Sequence, residues 1–195
     1  MAKPIVVGVS GGVDSAVAAA LLKQQGHDVV AVFMKNWEEE GDDGVCTAQE
    51  DYDMVRGVCQ KLDIPYYTAN FTREYRDRVF ADFLHELEAG RTPNPDVLCN
   101  REIKFKAFLD MALQLDAQNL ATGHYAQLGY DEKGRRTLLR GADPGKDQSY
   151  FLYMLGQPAL ERAMFPVGGM LKRDVRAVAE KLGLPNAARK DSTGI

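Results

Sequence analysis

Cysteine is scarce in this 195-residue chain: Cys46, Cys59 and Cys99 are the only three, and no two have Cys-x-x-Cys spacing. An odd, scattered set argues against a disulfide framework and against a zinc site, and suits a reducing cytoplasm. No apolar run reaches membrane-spanning length, so a transmembrane role is not expected. Met1-Ala2-Lys3-Pro4 leads straight into an apolar run, leaving no room for a signal or transit peptide. There is no internal repeat and no low-complexity segment. The first glycine loop lacks the lysine of a Walker A motif and lacks the G-x-G-x-x-G order of a dinucleotide fold. Histidine is also rare, with three in all. His27 reads as a turn residue, His85 as a surface position on a helix of mixed polarity, and His124 as a residue that orients a loop.

What is present is 45% hydrophobic residues, enough in a chain of this length for one substantial core. The β-branched run Ile5-Val6-Val7-Gly8-Val9 passes into Ser10-Gly11-Gly12-Val13-Asp14-Ser15 and then into Ala16 to Leu22. This predicts strand, tight loop and helix. Gly11 and Gly12 allow backbone N–H groups to approach an anion, and the helix aims its positive end at the same place. Ser10 and Ser15 can add hydroxyl donors. Gly8-x-Ser-Gly-Gly-x-Asp-Ser resembles the pyrophosphate-binding loop of ATP pyrophosphatases, which cleave ATP between the α and β phosphates.

Further along, Val29 to Phe33 reads as a second strand, and Glu38 to Gly44 as a polar loop. Thr47 is placed to cap a helix running to about Leu62, and Ile64 to Thr68 reads as a third strand. Thr72 starts an amphipathic helix carrying Val79, Phe80, Phe83, Leu84 and Leu87 and ending at Gly90. Ile103 to Leu115 is helical and Asn119 to Thr122 is a short fourth strand. Alternation of this kind implies βαβ units. The expected fold class is α/β: a doubly wound parallel sheet with helices on both faces and a small hairpin and helical appendage. Residues 1–125 are expected to form the nucleotide domain. Residues 126–195 follow, with a hairpin at Ala126–Tyr130 and Thr137–Arg140 and a helix at Lys172–Leu182. Ligands of such sheets sit at the carboxyl ends of the strands, where Ser10 to Ser15, Met34 and Gly123 all fall.

A second cluster is Gly90-Arg91-Thr92-Pro93-Asn94-Pro95-Asp96-Val97-Leu98-Cys99-Asn100. Its two prolines suggest a rigid loop between helices. Asp96 and Cys99 held together suit a nucleophilic thiol beside an acid/base. Cys46 and Cys59 read instead as small buried hydrophobes, and Trp37 as a packing residue. Net charge is −4, yet unevenly spread. Residues 1–100 hold 9 Lys and Arg against 17 Asp and Glu, whereas residues 101–195 hold 15 against 11. The second half is thus the one suited to a polyanion.

These motifs occur together with Phe33-Met34-Lys35-Asn36-Trp37, Ile103-Lys104-Phe105, Ala121-Thr122-Gly123-His124-Tyr125, Lys146-Asp147-Gln148-Ser149-Tyr150-Phe151-Leu152 and Lys190-Asp191-Ser192-Thr193-Gly194-Ile195. In that order and spacing the chain resembles the bacterial tRNA-specific 2-thiouridylases of the ATP pyrophosphatase superfamily, with their adenine-nucleotide alpha-hydrolase-like fold. The resemblance implies adenylation of the wobble uridine of tRNA by ATP with Mg²⁺, then transfer of persulfide sulfur to carbon 2 and release of AMP. It implies ATP binding by Gly8, Val9, Ser10, Gly11, Gly12, Val13, Asp14, Ser15, Met34 and Gly123, with Asp14 helping to hold Mg²⁺. Asn94, Pro95 and Asp96 would meet the target base, Asp96 as acid/base. Cys99 would be the nucleophile that helps free the sulfur and ends in a disulfide. Lys146, Asp147 and Gln148 would contact tRNA, and a persulfide relay protein would supply sulfur in the bacterial cytoplasm.

In that family the persulfide-carrying cysteine follows the Asp-Ser-Thr-Gly-Ile segment, and a β-rich C-terminal region follows in turn. A chain ending at Ile195 is therefore expected to be a fragment that adenylates but cannot complete the persulfide cycle alone. Two other readings stay open. The same loop could serve another adenylating enzyme, an amide-forming synthetase or a thiolase of a different tRNA position, or a non-catalytic nucleotide-binding module.

Overall fold

A computed structural model describes residues 3–37 and 47–191 of the chain. Strand β1 (Ile5–Val9) is buried along its whole length, as an apolar strand covered on both faces must be. It leads into α1 (Val13–Gln24), whose alanines let it lie close on the sheet. Gly26, at φ +85°, ends α1: its N–H bonds the Lys23 carbonyl and the His27 N–H bonds the Leu22 carbonyl. That is the left-handed cap for which glycine pays no Cβ penalty.

Then follow β2 (Val29–Lys35), α2 (Thr47–Leu62), β3 (Tyr66–Asn70), a helical run α3 (residues 72–88) and a second run α4 (residues 95–114). After β4 (Asn119–Ala121) comes the hairpin of β5 (Ala126–Tyr130) and β6 (Arg136–Arg140). The short α5 (Gln157–Arg162), β7 (Ala163–Met164) and α6 (Lys172–Lys181) complete the order. Five strands form one parallel sheet in the order β3-β2-β1-β4-β7, with β5 and β6 as a separate antiparallel pair. The doubly wound α/β expectation holds. Alternate residues of each strand serve opposite faces. Val6, Val32 and Leu120 pack with Phe71, Ile103 and Phe108 on one side. Val7, Val9 and Ala31 pack with Leu22 and Val55 on the other.

The chain runs outward from β1 through β2 to β3 and then crosses back to β4. The carboxyl ends of β1 and β4 therefore diverge, opening a crevice at the point where the winding reverses. Residues after 125 are built into this frame as well: β7 extends the sheet beside β4, and Val175 and Ala179 of α6 pack against Val13 and Val17 of α1. Nothing in the local sequence marks a two-residue strand, and β7 went unforeseen.

Three local expectations are corrected. The stretch 90–100 is not a loop throughout, because α4 begins at Pro95. Proline disrupts a helix interior, but at the first helical position its missing N–H costs nothing. Asn94 caps this helix, its Oδ1 accepting from the N–H groups of Asp96 at 3.1 Å and Val97 at 3.4 Å. The third strand occupies Tyr66–Asn70 rather than 64–68, since Ile64 and Pro65 complete the turn out of α2. The apolar residues of α3 do not all face the core: Val79 is fully buried, whereas Leu84 and Leu87 are about half exposed. The acidic loop 38–44, Cys46 and residues 192–195 lie outside the described residues.

Candidate functional site

The glycine loop after β1 is shaped by its own side chains. Gly11 has φ +79°, and a Cβ there would meet Arg189 Nη1 at 2.8 Å and the Asp51 carbonyl oxygen at 3.0 Å. Gly12 is the N-cap of α1 in extended backbone, φ −75° and ψ 159°, and a Cβ there would meet only Ser10 Oγ, at 3.4 Å. Ser15 Oγ accepts from the Ser10 N–H at 3.2 Å and donates to the Gly12 carbonyl at 3.1 Å. Its hydroxyl thus closes the loop, while the Ser10 hydroxyl stays exposed and lies 3.4 Å from Ser15 Oγ.

Above the loop lies a cavity lined by Gly8, Ser10, Gly12, Val13, Asp14 and Ser15 from the first junction. Met34 closes it from the end of β2, and Thr122, Gly123 and His124 from the end of β4. Three separate segments predicted to converge do so; Val9 ends β1 just before the loop, and Gly11 lies within it. Gly123 is required by contact rather than by φ: a Cβ there would lie 2.6 Å from the Ser15 nitrogen. Any larger residue would push the β4 loop off the start of α1.

Asp14 faces this cavity with both oxygens engaged. Tyr125 Oη donates to its Oδ1 at 2.7 Å, and Lys172 Nζ bonds Oδ1 at 2.7 Å and Oδ2 at 2.8 Å. Lys172 also pairs at 2.9 Å with Asp191, which takes Lys146 at 2.6 Å and Arg176 at 2.5 Å. Burial alone would raise the Asp191 carboxyl, but the hydrogen bonds from Lys146, Lys172 and Arg176 outweigh it and hold it far below the usual range. Burial, then the Asp14 carboxylate, pushes the Tyr125 phenol well above its ordinary value. No group of three or more His, Cys, Asp or Glu among the described residues could hold a metal by itself. Two carboxylates joined through one ammonium are a donor set for Mg²⁺ only in company with substrate phosphates, which is how that ion is commonly held.

His124 is buried, and its Nδ1 shares a 2.7 Å hydrogen bond with Thr122 Oγ1. Burial, with the Lys104 ammonium adding to it, holds its pKa well below the ordinary 6.5. Below pH 6.5 the unfolded chain takes up a proton that folded His124 refuses. Its contribution to stability is therefore complete above that pH and falls as pH drops, by about 1.4 kcal/mol per pH unit. Chemical denaturation of wild type and His124→Gln, compared from about pH 7.5 to 5, is expected to show a shallower loss in the variant. Equal slopes would contradict a neutral buried imidazole. His27 and His85 are exposed, as expected.

A second cavity adjoins the first. Its walls are aromatic and apolar, from Trp37, Tyr75, Phe80, Phe83 and Pro95, with Asn36, Asp96, Cys99 and Lys104 as its polar groups. Trp37 packs edge-on against Tyr75 at 5.9 Å and Phe80 at 5.0 Å between ring centroids. Asn36 Oδ1 is buried without a partner. Cys99 begins a π-helical stretch, Cys99–Phe108, within α4, and Asp96 lies one turn earlier. Cys99 is 8% exposed, so the polar setting expected for it is corrected: the thiol is a core residue. Burial pushes that thiol up and Asp96 adds to the rise, while Lys104 pulls it down. The Tyr75 phenol is raised to about 12, by burial first and then by Cys99 and Asp96. Cys59 is the buried hydrophobe it was expected to be, with its thiol at about 11.

The triad expected to face RNA has work inside the fold. Lys146 pairs with Asp191. Asp147 accepts from the N–H groups of Gly141 at 2.9 Å and Ser149 at 3.1 Å. Gln148 Oε1 accepts from the Tyr125 N–H at 2.9 Å, and its own side chain lines the first cavity. Missed by sequence reasoning were Lys172, Asn186, whose amide donates to the Gly11 carbonyl at 2.9 Å, and Arg189, which pairs with Asp51. No local motif marks any of them, since each acts on a loop more than a hundred residues away.

A family model described as "tRNA methyl transferase HUP domain" matches residues 3–195. The chain is 60% identical over 191 residues to the "tRNA-specific 2-thiouridylase MnmA" of Ligilactobacillus salivarius (strain UCC118), covering 98% of this chain and 51% of that protein. It is 61% identical over 193 residues to "tRNA-specific 2-thiouridylase MnmA 1" of Geobacillus kaustophilus (strain HTA426), covering 99% and 52%. The chain thus spans about half the length of the curated relatives it matches. Among solved structures, the U34-tRNA thiolase NcsA of Methanococcus maripaludis matches with TM-score 0.63 at 18% identity, over 99% of this chain and 61% of that one. A 4-thiouridine synthetase in complex with RNA and bound ATP matches with TM-score 0.58 at 17% identity, over 97% and 43%. At these identities the two structures share its fold and no more is read from them.

Proposed function

The chain belongs to the family described as the tRNA methyl transferase HUP domain, and from that premise we propose that it is the adenylating part of a tRNA-specific 2-thiouridylase. The observation that carries this reading is the adjacency of two chemically different cavities. One is built on a glycine loop at a helix N-terminus and suits a polyphosphate, which favours ATP over the methyl donor that the family's description brings to mind. The other offers aromatic walls, a carboxylate and a thiol, and suits a base taken out of its stack.

ATP lies with its phosphates against the loop from Gly8 to Ser15 and its nucleoside toward Met34 and Gly123. Asp14 would help hold Mg²⁺, with Lys172 giving up that carboxylate. The target uridine enters the second cavity beside Asn94, Pro95 and Asp96. Its carbon-2 oxygen attacks the α-phosphorus, the bond to the β-phosphate breaks, and pyrophosphate leaves. A sulfur nucleophile then adds at the activated carbon, and AMP departs with the oxygen. The sulfur comes from a relay protein and is carried as a persulfide on the family's second cysteine, the one that follows the Asp-Ser-Thr-Gly-Ile segment. Thiolate Cys99 attacks the inner sulfur of that persulfide, forming one S–S bond as another breaks, and the outer sulfur leaves with the electron pair. Asp96 handles the proton. Residues 126–195, with their excess of Lys and Arg, form the tRNA-facing part around Lys146, Asp147 and Gln148. No helix among the described residues is long and apolar enough to cross a membrane, and the bacterial cytoplasm is the proposed setting.

Incubation with ATP, Mg²⁺ and tRNA bearing a wobble uridine is expected to release pyrophosphate, with none released when tRNA is left out. Release independent of tRNA would point to another adenylating enzyme. ATP binding without any release would leave a nucleotide-binding module.

A further inference from the structure

Lys104 lines both cavities, the phosphate cavity beside Gly8 and the thiol cavity beside Asp96 and Cys99. It is half-buried, and among the described residues no hydrogen bond or salt bridge occupies its ammonium. The other lysine lining the phosphate cavity from a helix, Lys172, is fully committed to Asp14 and Asp191. A half-buried cation that no hydrogen bond or salt bridge among the described residues holds is costly to keep unless an anion is to meet it.

Local geometry explains how one side chain reaches both places. Lys104 follows Cys99 by five residues within the π-helical stretch Cys99–Phe108. In an α-helix, with 3.6 residues per turn, positions five apart point well away from each other. The wider π turn, bonded i to i+5, brings them toward one face. Phe105 then departs from helical geometry, at φ −103° and ψ 18°, and breaks the face immediately after Lys104.

We propose that Lys104 is a cation shared by the two cavities, binding the nucleotide's phosphate in one and favouring the thiolate of Cys99 in the other. The assignment rests on the two-cavity reading above and adds a residue to it. The same ammonium meets whichever anion is present: first the phosphate, and the thiolate once the phosphate has gone. Nucleotide and thiolate consequently compete for it, so Cys99 is least nucleophilic while ATP is bound and most so after pyrophosphate leaves. That order protects the thiol from reacting before a base has been activated.

Three groups bear on Cys99 from the elements packed around it. Asp96 and Lys104 belong to α4, and Tyr75 comes from α3. Asp96 opposes the thiolate, Tyr75 stays neutral near pH 8, and only Lys104 favours the charged form.

The test uses the 195-residue protein, with Cys99 alkylation by iodoacetamide followed by peptide mass measurement against pH. Lys104→Met is expected to move the alkylation midpoint of Cys99 to higher pH and slow the reaction about tenfold for each unit moved. Lys104→Arg is expected to restore it. Calorimetry with Mg-ATP is expected to show roughly tenfold or weaker binding in Lys104→Met, and ATP is expected to slow Cys99 alkylation in wild type but not in that variant. Lys104→Gln repeats each measurement should the methionine variant unfold. An unchanged midpoint, or unchanged ATP affinity, in a folded variant overturns the shared-cation assignment. Wild-type protein that binds no ATP would instead overturn the nucleotide reading itself, while the alkylation midpoint still reports on Lys104.

Discussion

Replacing Gly12 by valine is expected to abolish ATP binding while leaving the fold and its thermal midpoint nearly unchanged. Gly12 has φ −75° and ψ 159°, a conformation open to any residue, and a Cβ there meets only Ser10 Oγ at 3.4 Å. The protein alone therefore does not need glycine at this position; an anion drawn against the backbone does. Valine's methyl groups project into the cavity where the first N–H groups of α1 converge, and a phosphate loses its close approach. Gly11 supplies the contrast. Its φ of +79° and the contact at 2.8 Å with Arg189 make even alanine a strained fit, expected to destabilise by roughly 1–3 kcal/mol. Calorimetric titration of ATP alongside thermal melts separates the two glycines. A folded Gly12→Val protein with wild-type affinity would falsify the phosphate-loop assignment.

The second large effect concerns Cys99. In a protein of the relatives' full length, Cys99→Ser is expected to lower persulfide-dependent 2-thiouridine formation by on the order of a thousandfold or more, the scale on which removal of a nucleophile acts. Pyrophosphate release should survive, because attack of the uridine oxygen on ATP needs no thiol. A serine is nearly the size of the thiol it replaces, so the aromatic walls from Trp37, Tyr75 and Phe80 keep their packing. Loss of both activities would mean that Cys99 holds the cavity together instead of acting in sulfur release. Retained thiolation in the serine protein would remove Cys99 from the chemistry. Either result is readable by measuring pyrophosphate and modified nucleoside in the same reaction.

Burial gives this thiol an unusual place among nucleophiles. It sits among core side chains such as Ile103 and Phe108, and desolvation opposes the form that must react. The Asp96 carboxylate makes matters worse, and the Lys104 ammonium opposes it. While ATP holds Lys104, the thiol stays neutral and is spared reaction before a base has been activated.

What could be read from the sequence was whatever depends on neighbours in the chain. The β-branched run at Ile5–Val9, the glycine turn, the alanine-rich α1 and the alternation of strands with helices are local preferences, and they specify a parallel sheet with a phosphate loop at its first junction. Asp96 and Cys99 stand three residues apart and were legible as a pair for the same reason. Everything that depends on distant parts meeting had to wait for the tertiary structure. β7 exists only because β4 offers it an edge. Pro95 reads as a breaker until Asn94 is seen capping the helix that Pro95 begins. Lys172 reaches Asp14 across more than 150 residues, and Asn186 reaches Gly11 across 175, so no spacing in the chain foretells them. The burial of Cys99, and the position of Lys104 between two cavities, follow from how α4 lies on the sheet. Chemistry-bearing residue types are set by sequence, whereas their charge state and company are set by which surfaces pack together, because desolvation and Coulomb attraction act through space and not along the chain.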